Sequence, residues 1–342
     1  MKQKILITGG TGYIGSHTVV ELINEGFEPV IVDNLSNSSA DVLDNIEKIT
    51  GTKPVFEQFD LTDNDQLEAF FEKYTNIKAI IHFAASKAVG ESVEKPLLYY
   101  RNNLVSLMNL IDCQLKFGVS NIVFSSSCTV YGQPDVLPVT EKTPRKDAES
   151  PYANTKRVNE DILHDAINAY PQLQGISLRY FNPIGAHPSA LIGELPLGVP
   201  QNLVPFITQT AAGLRGELKV FGNDYNTPDG SAIRDYINVV DLAKAHVVAI
   251  KRMLNGKSKS NYEVFNLGTG NGYSVLEIVN GFEKATGVKL NYKIVDRRAG
   301  DIEKIWADTT FANEELGWKA EATLEETLLS AWKWEKNVRG IE

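Results

Sequence analysis

The stretch KILITGGTGYIGSHTVVELINEG, residues 4–26, restricts the fold more than any other part of the chain. A short apolar run ends in glycines at 9, 10, 12 and 15, and helical periodicity follows until Gly26. That order reads as a buried strand, a tight turn and a helix. Glycines at 9, 12 and 15 let backbone amides approach a pyrophosphate at the positive end of the helix. The turn therefore predicts an α/β sheet with a dinucleotide site at its edge.

Four more apolar runs follow, PVIVD, PVFEQFD, KAIIHFA and NIVFSSS, with helices predicted over 63–73 and 96–117 among the connections. Strands alternating with helices at this spacing give a doubly wound parallel sheet. Its active site gathers at the C-terminal strand ends, here Gly9, Asp33, Asp60, Phe83 and Ser125 onward. The helix over 96–117 begins on Pro96 and stops at Gly118. Leu97, Tyr100, Leu104, Leu107, Ile111 and Leu115 form one stripe, widened by Val105 and Met108, that suits the sheet and also a partner subunit. Residues 183–235, rich in Pro, Gly and Asn, predict long structured loops that build a binding surface, too irregular for another strand and helix repeat. INVVDLAKAHVVAIKRML then returns to strand and helix. The expected division is a Rossmann dinucleotide-binding domain over 1–182 with about 236–262, and a smaller α/β substrate domain over 183–235 and 263–342.

A net charge of -9 argues against a nucleic-acid or membrane-surface binder, while a few local arginines can still hold a small anion. No apolar run approaches a membrane span, and MKQKILITGG enters the first strand without a leader pattern. With only Cys113 and Cys128, a disulfide framework is out of reach and a reduced cytoplasm is the expected compartment. His17, His82, His164, His187 and His246 show no ligand spacing, so no metal is expected.

Three further features carry chemistry. Asp33 ends the second strand, where a carboxylate accepts hydrogen bonds from ribose hydroxyls and repels a 2'-phosphate. NLSNSS after it offers no basic residue, so the expected cofactor is NAD and not NADP. In SPYANTKRVNE, Tyr152 and Lys156 lie four apart on a helix and project the same way. A free tyrosine has a pKa near 10, so service as a base at neutrality needs a drop of about three units, or about 4 kcal/mol. One ammonium and a nicotinamide cation supply that in a partly dry site. In FSSSCTVYG, Ser127 stands where a small hydroxyl can hold a substrate hydroxyl, and no Gly-x-Ser-x-Gly elbow points to a serine nucleophile.

The glycine turn, Asp33, Ser127 and Tyr152 with Lys156, in that order, resemble the extended short-chain dehydrogenase/reductase family, and within it the UDP-hexose 4-epimerase branch. TGGTGYIGSHT, DNLSNSS, HFAASKAVGESVEKPLLYYRNN, SSSCTVYG, SPYANTK, LRYFNPIGAHPS, VPQNLVPF, FGNDYNTPDGSAIRDYI and RRAGDIEKIWAD carry the closer likeness across nearly the whole chain. The resemblance implies that Gly9, Gly12 and Gly15, with Tyr13 and Ile14, bind the NAD pyrophosphate region. It gives the adenosine end to Asp33, Asn34, Asn37, Asp60 and Leu61, and the cofactor lining to Phe83, Ala84, Lys87 and Asn102, with Tyr180 beside the nicotinamide. Ser127 and Tyr152 would bond the sugar 4-hydroxyl, and Lys156 the nicotinamide ribose.

On the substrate side, the resemblance implies that Lys87, Asn182, Asn202, Leu203, Arg234 and Arg298 surround the nucleotide diphosphate, and that Phe221 and Asp301 meet the uridine. The implied reaction interconverts UDP-glucose and UDP-galactose through a transient 4-keto sugar, and the implied assembly is a homodimer built on helices near 96–117 and 152–170. Cys128 stands where small residues are usual and Ala85 where glycine often occurs. Ile305 replaces the tyrosine of narrow-specificity members, which leaves UDP-N-acetylglucosamine within range. A 4,6-dehydratase or decarboxylase on the same scaffold is the alternative, but the former needs a carboxylate pair where Cys128 and Thr129 stand. A regulator that only senses NAD would have no use for the tyrosine, the lysine and the substrate loops together.

Overall fold

The aliphatic runs do form buried strands, and their alternation sets two opposite cores. In the computed structural model, which describes residues 2–298 and 301–341, Ile5 and Ile7 face one core and Leu6 the other. Ala299 and Gly300 of the RRAGDIEKIWAD motif lie outside the described residues. The strands are β1 (Lys4–Thr8), β2 (Glu28–Asp33), β3 (Val55–Gln58), β4 (Ile77–His82), β5 (Asn121–Ser127) and β6 (Gln174–Tyr180). A seventh, Tyr262–Leu267, pairs in parallel with β6 at the sheet edge. Read across, the order is Tyr262–Leu267, β6, β5, β4, β1, β2, β3, all parallel. The chain winds to one side of β1 and then, from β4, to the other, so a crevice opens past Thr8 and His82.

Helix α1 (Tyr13–Asn24) packs with the helix Val239–Leu254 on the face of Ile5 and Ile7, with α2 (Val42–Thr50) beside it. On the other face lie α3 (Asn64–Lys73), the short α4 (Val89–Glu94), α5 (Pro96–Phe117) and α6 (Pro151–Ala169). The stripe expected on α5 divides. Leu107 and Ile111 are buried, but Leu97 is 66% and Met108 42% exposed, while Tyr99, Asn103 and Ser106 point inward. The reason is a polar seam: Asn103 Nδ2 donates to the Ser86 carbonyl and to Thr155 Oγ1, both at 3.0 Å, and Asn159 donates to the Asn103 carbonyl at 2.9 Å.

Residues 183–235 are more regular than expected. The apolar segment LVPFITQTA forms a helix, Leu203–Ala211, that buries Val204 and Ile207 with Ile278, Phe282 and Leu328 in a third core. Leu218–Phe221 pairs with Tyr292–Val295, and Asn182–Ile184 with Tyr236–Asn238. The expected boundary near 262 falls at the first residue of the sheet's edge strand. Among the described residues no helix is long and apolar enough to cross a membrane, and both cysteines are free and buried.

Candidate active site

The glycine turn sits at the mouth of the crevice. Gly9 takes φ +71°, and a methyl group there would lie 2.7 Å from the Ala84 amide nitrogen at the end of β4. At Gly15 it would lie 2.2 Å from the Gly9 carbonyl oxygen, so both glycines are demanded by the protein's own backbone. Gly12 differs: its added methyl would meet only the Gly9 carbonyl, at 3.2 Å, and otherwise open space. Gly12 caps α1 with no side-chain hydrogen bond, so the first amides of α1, from Tyr13, Ile14 and Gly15, face that space without a side-chain cap. This cradle fits an anionic pyrophosphate.

Asp33 ties the turn to the loop behind it, accepting from the Leu35 amide at 2.9 Å and the Thr11 amide at 3.3 Å. Asn34 donates to Asp60 at 2.8 Å, bridging the ends of β2 and β3. Burial raises the Asp60 carboxyl, but hydrogen bonds from Thr62 and Asn34 outweigh it and hold the group below the usual range. Leu61 is buried, with its carbonyl held by Asn109 at 2.9 Å, and Asn37 is exposed on the loop after β2. Phe83 continues β4 and packs against His246 with the rings tilted, their centroids 4.6 Å apart. Asn102 donates to Ser86 Oγ at 3.1 Å.

The end of β5 and the start of α6 form the chemical centre. Ser150 caps α6 by accepting from the Ala153 amide at 3.2 Å, and Pro151 occupies its first turn. Three consecutive serines then meet α6 and β6 in three ways. The Ser125 carbonyl accepts from Lys156 Nζ at 2.6 Å, and the Ser125 hydroxyl bonds the Tyr180 hydroxyl. Ser126 donates to Glu160 at 2.5 Å. Ser127 accepts from the Thr129 amide at 3.3 Å and lowers the pKa of the neighbouring Tyr152 phenol.

Lys156 is 4% exposed, its Nζ lying 5.9 Å from the Tyr152 ring centroid and 5.0 Å from that of Phe124. Burial pushes this lysine down to about 8, with Glu160 pulling the other way. Burial likewise pushes the Tyr152 phenol well above its ordinary value, reinforced by Tyr180 and Cys128 and opposed by Ser127. The protein's own groups therefore favour the neutral phenol, because desolvation of the hydroxyl outweighs the hydrogen bond from Ser127, and the lowering expected at this position draws on a nicotinamide cation as well as on Lys156.

Two further groups gather residues expected on the substrate side. Asn202, which precedes the helix begun by Leu203, donates to Glu194 at 2.6 Å, and Lys87 Nζ lies 3.9 Å from the same carboxylate. Burial raises the Glu194 carboxyl, while Lys87 and Asn202 oppose it. Glu194 sits in an irregular Gly and Pro loop, so no spacing signal in the sequence announces it. The other group is Asp301, 2.7 Å from Arg298 and 3.8 Å from Arg234, with the Arg298 guanidinium 5.9 Å from the Phe221 ring.

Arg234 pairs in register with Ile305 and lowers the pKa of the Cys128 thiol, although burial dominates and pushes that thiol up to about 12. Arg234 thus adjoins the residue after Ser127, and Arg298 joins it through Asp301. Asn182 begins the strand beside Tyr236, its amide donating to the Asp235 carbonyl at 2.9 Å. Ile305 is 1% exposed, packed with Cys128, Val130, Phe181 and Val139.

A parallel sheet with a glycine cradle at its switch point and a serine, tyrosine and lysine at the adjoining strand end is the architecture of the extended short-chain dehydrogenase/reductases. A family model described as GDP-mannose 4,6 dehydratase matches residues 6–330. The UDP-glucose 4-epimerase of Bacillus subtilis (strain 168) is 51% identical over 99% of this chain and 98% of its own. A solved UDP-glucose 4-epimerase from Bifidobacterium longum, in complex with NAD+ and UDP, superposes with a TM-score of 0.94 at 47% identity, covering 98% of both chains. The Stenotrophomonas maltophila enzyme, with bound NAD and formylated UDP-arabinopyranose, gives 0.95 at 47% identity over 99% of both. The chain belongs to the UDP-glucose 4-epimerase family, within the wider group that the dehydratase model describes.

Proposed function

We propose that the protein interconverts UDP-glucose and UDP-galactose by inversion at sugar C4, with NAD held along the crevice. NAD supplies a hydride acceptor that is also the donor, so the reaction has no net redox change and passes through a transient 4-keto sugar. Tyr152 removes the proton of the 4-hydroxyl and later returns it on the opposite face of the sugar, while Ser127 holds that hydroxyl. Lys156 steadies the phenolate by charge. Gly9, Gly12, Gly15 and the first turn of α1 hold the pyrophosphate, and Asp33 holds the adenosine ribose. Arg234 and Arg298 grip the diphosphate through forked hydrogen bonds, leaving the sugar free to turn. In this reading the seven-stranded sheet and its helices bind NAD, and the segments around 183–235 and 268–341 bind the UDP-sugar.

The observation that carries the reading is the convergence of Ser127, Tyr152 and Lys156 at the C-terminal end of β5. Purified protein incubated with UDP-galactose and followed by NMR gives UDP-glucose, and Tyr152→Phe abolishes the conversion; no conversion even after adding NAD sinks the proposal. A parallel run with UDP-N-acetylgalactosamine asks whether Ile305 leaves room for the acetamide. The exposed apolar residues Val93, Leu97, Leu98 and Met108 on α4 and α5 support a homodimer through this face, checked by sedimentation. Two buried free cysteines support a cytoplasmic location, checked by cell fractionation.

A further inference from the structure

Behind the catalytic helix face lies an ion pair that the reaction does not touch. Glu160 follows Lys156 by four residues and Tyr152 by eight on α6, so all three share one face. Its side chain is 2% exposed and that of Arg179, on β6, is 7%. Arg179 Nε and Nη2 donate to the two carboxylate oxygens at 2.9 and 2.6 Å, a forked geometry. Ser126, between the serines that meet Lys156 and Tyr152, gives the carboxylate a third hydrogen bond at 2.5 Å. Arg179 also donates to the Tyr131 hydroxyl at 3.0 Å, and Arg145 approaches Glu160 at 3.4 Å while bonding Asp161.

We infer that Glu160 and Arg179 are positioning residues for proton transfer: a buried pair of balanced charges, pinned to the catalytic strand by Ser126, that sets the potential at Lys156 and Tyr152. A buried pair is a weak device for stability alone, since desolvation offsets most of the Coulomb gain. Its placement has a direct electrical consequence. The other titratable groups around Lys156 and Tyr152 are His82 on β4, which faces Lys156, and Tyr99 on α5, Tyr180 on β6 and Cys128 after β5, which face Tyr152. Burial moves each toward its uncharged form, His82 down to about 3 and the other three upward. Glu160 is then the formal charge that acts on Lys156, with Arg179 and the half-buried Arg145 on the same carboxylate, and whatever unbalances the buried pair changes the cost of ionising both Lys156 and Tyr152.

The inference rests on Tyr152 as the base, and the test separates the two ideas. In the holoenzyme with UDP-galactose, the acid limb of the kcat–pH profile reports that base. Glu160→Gln leaves an unbalanced positive charge and moves the limb to lower pH. Arg179→Gln leaves a negative one and moves it to higher pH. At roughly 12 Å, two helical turns, and an effective dielectric of about 20, each shift is about 0.5–1 pH unit. The double variant returns close to the wild-type limb. Ultraviolet phenolate absorbance, taken as the difference between each variant and its Tyr152→Phe counterpart, moves the same way without reference to turnover.

Shifts in one common direction, or none, overturn the inference, because a purely structural pair lowers activity without opposed displacements. If Arg179→Gln does not fold, Glu160→Asp, which keeps the charge, must hold the wild-type limb while Glu160→Gln moves it; equal limbs overturn the inference. Full activity in Tyr152→Phe overturns the base assignment itself and the inference with it.

Discussion

Lys156→Met should make the protein more stable and far less active. Burial holds this lysine near 8 in the fold against 10.5 when free. Between those values the folded protein binds fewer protons than the unfolded chain, so stability rises with pH across that window and the full cost applies below about pH 8. The difference amounts to about 3 kcal/mol. Methionine removes that cost but strands the Ser125 carbonyl that Lys156 holds at 2.6 Å. The stranded acceptor takes back about 1–2 kcal/mol, leaving a net gain of about 1–2 kcal/mol at pH 7. For 342 residues the unfolding entropy is about 0.7 kcal/mol/K, so the melting temperature rises by about 1–3 °C.

The activity falls for the reason that the stability rises. Nζ lies 5.9 Å from the Tyr152 ring centroid; a positive charge roughly 6 Å from a phenolate at an effective dielectric of about 20 supports it by about 3 kcal/mol. Its loss raises the Tyr152 pKa by about two units and cuts neutral-pH turnover about 100-fold. Melting is followed on nucleotide-free protein, since a ligand bound only to the fold adds its own stabilisation. A variant that melts below wild type at pH 7, or a gap that stays constant as pH rises from 8 to 10, refutes the reasoning.

Gly15→Ala and Gly12→Ala should part company: the first, with its methyl 2.2 Å from the Gly9 carbonyl, lowers the melting temperature and NAD retention together, whereas the second, meeting one atom at 3.2 Å, keeps its fold and loses NAD affinity about tenfold or more. Thermal melts with and without NAD distinguish them. Arg298→Met removes an ion pair whose arginine side chain is 52% exposed, so stability changes by less than about 0.5 kcal/mol. Its KM for UDP-galactose should rise about tenfold or more with kcat nearly unchanged; an unchanged KM removes Arg298 from the diphosphate site.

Much of this protein is written in short-range spacing. The glycine turn, the strand-end position of Asp33, the four-residue step from Tyr152 to Lys156 and the bounds of α5 and α6 depend on local periodicity, capping and turn chemistry, which neighbouring residues fix among themselves. Glu160 stands one further helical step on, but its role was not legible there, since Ser126 and Arg179 reach it from β5 and β6. Other features come from contacts between residues far apart in the chain. Asn103 turned the inner side of α5 polar because Ser86, Thr155 and Asn159 await it there. Tyr262–Leu267 joined the main sheet because the edge of β6 offered unpaired backbone groups. Glu194 acquired its place between Lys87 and Asn202 only when the loop carrying it folded down. The direction of the Tyr152 shift also belongs to the tertiary structure, since spacing names a phenol's neighbours but only packing decides how much water is taken from it.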